Sequence, residues 1–84
     1  MIRIHYFASI REQLGQAEEQ LALPDGVSSI EELIQHLQSI NPSFKSVIDS
    51  SAKILVAVNQ TVVDRSYKLS EDDEVAFFPP MTGG

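Results

Sequence analysis

Side-chain chemistry is thinly represented in this 84-residue chain, and the group best suited to react is the main-chain carboxylate at its end. The last residues run Pro79-Pro80-Met81-Thr82-Gly83-Gly84. Glycine makes up about 7% of average sequences, so a closing Gly-Gly arises by chance in roughly one chain in two hundred. The prolines hold the backbone extended and cannot join a β-ladder, while Gly83 and Gly84 carry no Cβ to obstruct a narrow channel. The carboxylate of Gly84 can therefore be presented inside another protein. A carboxylate is a poor electrophile and needs activation before it can act as an acyl donor, and transfer of AMP from ATP would supply a good leaving group. Attack on that acyl-adenylate by a sulfur donor would leave a thiocarboxylate, and attack by an amine an isopeptide-type conjugate. Physical chemistry alone does not choose between them.

Nothing else in the chain competes with the tail. His5 and His36 are isolated and read as structural, no serine sits in a nucleophile motif, and no glycine-rich loop precedes a helix to cradle phosphate. With no cysteine, disulfides, thiolate-held zinc and cysteine nucleophiles are excluded together. The acidic run from Glu71 to Glu74 lacks the glycine and spacing of an EF-hand loop and reads as a solvated turn. No metal and no permanently bound cofactor are expected.

Twelve acidic residues against six basic ones give a net charge of −6, which repels nucleic acid and anionic membranes and favours basic protein surfaces, besides serving solubility. A hydrophobic fraction of 43% with four Gly and four Pro fits one folded domain, residues 1 to 80, followed by a flexible tail, residues 81 to 84. The first residues lack a basic region followed by an apolar run, and no stretch reaches transmembrane length, so a cytoplasmic location is expected.

The elements that must position the tail follow from periodicity. Ile2, Ile4 and Tyr6 alternate with Arg3, His5 and Phe7, a strand with one buried face. Residues 8 to 14 form a short helix that Gly15 stops. Leu21 and Leu23 alternate with Gln20 and Ala22 in a second strand, closed by Pro24-Asp25-Gly26. Ser28 and Glu31 make a capping box for the main helix, whose Ile30, Leu33, Ile34 and Leu37 form one apolar stripe. Asn41-Pro42 ends it, and a short turn or helix follows around Phe44 to Ile48. Residues 53 to 58 and 61 to 63 form a hairpin about Asn59-Gln60, and residues 74 to 78 a last strand ended by the prolines. The order suits an α+β roll.

Asp73-Glu74-Val75-Ala76-Phe77-Phe78-Pro79-Pro80 followed by Thr82-Gly83-Gly84 resembles the C-terminal signature of the small, sulfur-carrying subunits of molybdopterin synthase. Val58-Asn59-Gln60 and residues 2 to 11, with Phe7-Ala8 and Arg11-Glu12, resemble the same family, while residues 16 to 50 match it in pattern. Many members have glycine in place of Asp72 and a smaller aliphatic residue in place of Met81.

The resemblance implies a ubiquitin-like β-grasp fold, a mixed sheet of about five strands on one main helix. It implies that Gly84 is adenylated by an E1-like enzyme consuming ATP, then thiocarboxylated by a sulfur donor protein. The tail would then enter the large catalytic subunit, in a heterotetramer, and give sulfur to cyclic pyranopterin monophosphate to build the dithiolene. Three other readings stay open: a related sulfur carrier for thiazole or tRNA thiolation, a protein modifier joined to lysine through Gly84, and a β-grasp interaction module whose tail is inert.

Phe7 and Phe78 face away from the apolar residues of their own strands. Together with Val62 and the exit segment Pro79, Pro80, Met81 and Thr82, they are the expected partner-binding patch.

Overall fold

The computed structural model describes residues 1–50 and 54–79. Strand β1 (Ile2–Tyr6) carries the alternation to its physical outcome: Ile2, Ile4 and Tyr6 are buried, Arg3 is exposed and His5 half-buried. Phe7 lies one residue beyond the strand, where it is the N-cap of α1 (Ala8–Leu14). Gly15 closes that helix with φ 73°, its N–H returning to the Arg11 carbonyl, a left-handed turn that a residue without Cβ adopts freely.

Strand β2 is Glu18–Leu21, displaced toward the N-terminus from the stretch around Leu21 and Leu23 that the alternating leucines indicated. Antiparallel pairing sets Leu21 opposite Ile2 and Glu19 opposite Ile4. The Glu19 carboxylate accepts the Tyr6 phenolic O–H at 2.8 Å and the Gln16 amide N–H at 2.9 Å. An acid that satisfies the hydroxyl of a buried tyrosine thus occupies a position where period-two reasoning looks for a leucine.

Helix α2 (Ile30–Ile40) is capped one residue later than Ser28 and Glu31 implied: Ser29 is the N-cap, and its Oγ accepts the Glu32 N–H at 3.3 Å. Glu32 reaches back to accept from the Ser28 N–H at 2.9 Å and hydroxyl at 2.8 Å. Both Ser-x-x-Glu frames exist in the sequence. The later one is selected by tertiary pairing, since Ile30 N–H donates to the Tyr67 carbonyl at 3.0 Å and Ser29 bridges to Lys68. The expected stripe of Ile30, Leu33, Ile34 and Leu37 is buried.

After Asn41 the chain builds α3 (Pro42–Ser50), longer than the short element centred on Phe44 to Ile48. Proline here begins a helix, because its missing N–H is an orphan at the first position and its fixed φ suits the turn. The Asn41 side chain accepts the Ser43 N–H at 3.0 Å. Phe44 and Val47 are fully buried, so α3 contributes to the core beside α2, and the sheet is covered by more than one main helix.

The hairpin of β3 (Leu55–Val58) and β4 (Thr61–Val63) turns through Asn59 and Gln60, both left-handed at φ 49° and 71°. Two such residues twist the strands with the hand the sheet requires. Lys53, read as the start of the hairpin, lies outside the described residues. Strand β5 (Glu74–Phe78) completes a five-stranded sheet of order β2-β1-β5-β3-β4, with β1 and β5 parallel and the other pairs antiparallel. This is the mixed sheet of a β-grasp. Its inner face packs on the helices, and Tyr6, Phe44 and Phe77 form an aromatic centre with ring centroids 5.4 to 6.3 Å apart.

Candidate functional site

Pro80, Met81, Thr82, Gly83 and Gly84 lie outside the described residues, and the structure instead places the strand that leads to them. β5 runs down the middle of the sheet, and its residues alternate between two environments. Val75 and Phe77 are fully buried, whereas Glu74, Ala76 and Phe78 point to the outer face, which no helix among the described residues covers.

Register brings the outward residues of the neighbouring strands beside them. Leu55 pairs with Phe78 and Ala57 with Ala76 across β3 and β5, Val62 lies opposite Ala57 on β4, and His5 pairs with Ala76 on β1. Phe7 joins them because its N–H donates to the Phe77 carbonyl at 3.2 Å. Its ring lies parallel to that of Phe78, with centroids 4.8 Å apart and planes inclined by 7°. Phe7, Val62 and Phe78, expected to form one patch, are thus on one face, with Phe7 42% and Val62 66% exposed.

This face contains a groove of about 400 Å³. The paired alanines Ala57 and Ala76 make its floor, which is low because each ends at Cβ. Phe7, Phe78 and Val62 form the apolar walls, and His5, Gln60 and Glu74 the polar end. His5 Nε2 lies 3.0 Å from Glu74 Oε2 and its Nδ1 3.4 Å from Glu18 Oε2, so the ring ties β1 to both of its neighbours. Arg3 approaches the same Oε2 of Glu74 at 3.9 Å.

The turn before β5 is held by its own acids. Asp72 takes φ 70°, the left-handed conformation that glycine would adopt more freely, and accepts from the N-terminal ammonium at 2.9 Å. That hydrogen bond, aided by the ammonium charge, holds the Asp72 carboxyl below the usual carboxylate range. Asp73 accepts from the Ser70 N–H at 2.8 Å and from the Asn59 amide at 3.0 Å, while Asn59 Oδ1 accepts the Glu74 N–H at 3.1 Å. The acidic run therefore fastens the hairpin to the start of β5. Among the described residues no group of His, Cys, Asp and Glu is placed to hold a metal ion.

The sequence profile of the ThiS family matches residues 4–84. This chain belongs to the ThiS family. The molybdopterin synthase sulfur carrier subunit of Escherichia coli K12 is 38% identical over 84 residues, covering 100% of both chains. The sulfur-carrier role of this ThiS-family chain rests on such full-length relatives. SAMP1 from Haloferax volcanii shares its fold, with a TM-score of 0.80 at 24% identity over 99% of this chain and 98% of that one. A chain from a complex of subunits 1 and 2 of the molybdopterin-converting factor of Helicobacter pylori matches with a TM-score of 0.68 at 19% identity, over 99% of this chain and 97% of that one.

Sequence reasoning missed part of the ThiS-family chain's outer face. Leu55 is 37% exposed beside Phe78, and Ala57, Gln60, Glu74 and Ala76 line the groove. The signal was present in the alternation of β3 and β5, but Leu55 and Ala57 sit inside an unbroken apolar run in which the two faces look alike. His5, read as structural, does bridge strands, and it also borders the groove. His36 lies on α2, on the helix side of the sheet. Among the described residues no helix is long and apolar enough to cross a membrane.

Proposed function

We propose that this sulfur carrier works through Gly84: an E1-like enzyme transfers AMP from ATP to the carboxylate, releasing pyrophosphate, and sulfide delivered by a sulfur donor protein then attacks the acyl carbon and displaces AMP to leave a thiocarboxylate. The loaded tail enters the large subunit of molybdopterin synthase and gives its sulfur to cyclic pyranopterin monophosphate, two such transfers building the dithiolene. In this reading Gly83 and Gly84 would keep the tail slim, and the Pro79-Pro80 pair would favour an extended chain that cannot join the ladder.

The observation that carries this reading is that Phe78, the last residue of β5, belongs to the outer aromatic face and is the point from which the chain continues toward the tail. Phe78 stacks on Phe7, and Pro79 follows it directly. A partner seated on this face has the tail at its edge, so docking and delivery are one event. The Helicobacter pylori neighbour, found in a complex of subunits 1 and 2 of the molybdopterin-converting factor, supports a large-subunit partner. Ordinary side-chain catalysis by the carrier has no part in the scheme.

Intact mass spectrometry tests the loading step. Incubation with the E1-like enzyme, ATP and a sulfide source is expected to add about 16 Da at Gly84 by exchange of oxygen for sulfur, and deletion of Gly84 abolishes the gain. Lysine-linked conjugates without a thiocarboxylate species would overturn the reading in favour of a protein modifier.

A further inference from the structure

We propose that the groove on the outer face receives a cationic side chain of arginine type from the partner, its stem over Ala57 and Ala76 and its head on Glu74. The inference rests on the large-subunit reading above and names the chemistry of the contact.

The shape comes first. Along β5 the outward residues Glu74, Ala76 and Phe78 are successive two-residue steps, about 7 Å each. The aromatic pair therefore stands at one end and the carboxylate at the other, with the alanine floor between them. A long side chain crossing this floor meets apolar carbon on its way and an acid at its far end, which matches an aliphatic stem carrying a positive head. The rings of Phe7 and Phe78, at the end away from Glu74, offer apolar surface to the start of the stem.

The charge agrees with the shape. Glu74 already touches His5 and Arg3, but both contacts are made to Oε2, at 3.0 and 3.9 Å. Its Oε1 has no partner among the described residues, and the carboxylate is only half-buried, so it can accept a second donor. Gln60, held at the groove by the left-handed turn, adds an amide oxygen nearby. Glu18 stands behind His5, and the whole chain carries a net charge of −6, so the field over the face favours a basic partner over a neutral one.

The test is the affinity of the full-length carrier for the large subunit of molybdopterin synthase, measured by calorimetry at two salt concentrations for the native chain, Glu74→Gln and Ala76→Leu. Glu74→Gln keeps the shape and removes the charge; Ala76→Leu fills the floor from the exposed side. The expected result is about tenfold weaker binding for Glu74→Gln with a flatter salt dependence, and a loss of tenfold or more for Ala76→Leu. Unchanged binding by Glu74→Gln with loss in Ala76→Leu would mean an apolar occupant and overturn the proposal. Unchanged binding by both would remove the groove from the interface. Self-association of the carrier that Ala76→Leu disrupts, without large-subunit binding, would assign the face to a second copy and also overturn it. Sulfur loading at Gly84, followed by mass, is expected to proceed in both variants, which separates failure of this contact from failure of the carrier chemistry.

Discussion

The two faces of the sheet are made by alternate residues of the same strands, yet they do different work. Phe77 and Phe78 show it most directly. Adjacent in sequence and identical in type, one is fully buried against Tyr6 and Phe44, and the other lies outward on Phe7. The period of two in a strand lets a packed core face and an exposed aromatic face be written in one short segment, because alternate residues point to opposite faces.

The largest effect is expected where the inner face is opened. Phe77→Ala should cost about 3–5 kcal/mol by leaving a cavity in the aromatic centre, read as a lowered midpoint in urea unfolding. Phe78→Ala should cost only about 1 kcal/mol, the worth of a stacked pair, while weakening large-subunit binding at least tenfold. Equal destabilisation by the two alanine variants would break the comparison. Val62→Asp sharpens it from the neighbouring strand: stability is expected to stay within about 0.5 kcal/mol of the native chain, since the side chain is exposed, and binding to fall.

Smaller effects come from the sheet edge. The Tyr6 hydroxyl is pushed well above its ordinary value, first by burial and then by its bond to Glu19. A group whose folded pKa is raised supplies stability that is complete below its unfolded value and declines above it. Unfolding followed against pH should therefore show alkaline loss beginning near pH ~10, and Tyr6→Phe should remove that limb at a cost of about 1 kcal/mol at neutral pH. Smallest is the helix cap, where Ser29→Ala should cost about 0.5–1 kcal/mol in thermal unfolding.

Much of this arrangement is legible in the residues. β1, α1 with its stop at Gly15, the stripe of α2, the Asn59-Gln60 turn and β5 all follow from periodicity and turn chemistry, because each is decided by neighbours in sequence. The parts that are not legible depend on distant groups. β2 is located by pairing with β1 and disguised by Glu19, whose partner is Tyr6. The cap of α2 is chosen between two equal frames by backbone bonds with residues 67 and 69, which flank the Ser29–Lys68 bridge. The face bearing Phe7 and Phe78 could be inferred from alternation, but the groove could not, since its floor exists only when Ala57 and Ala76 come into register.

The parallel pairing of β1 with β5 joins the two ends of the chain, placing Tyr6 beside Phe77. Such a contact closes nearly the entire chain into one loop, and its entropic cost falls before any reward, so it is expected to form late in folding. During synthesis the outer face bearing Phe7 and Phe78 therefore cannot form until β5 has emerged. Under the function proposed above, a chain interrupted before Glu74 would lack both the docking surface and the tail, so incomplete copies would not compete for the partner.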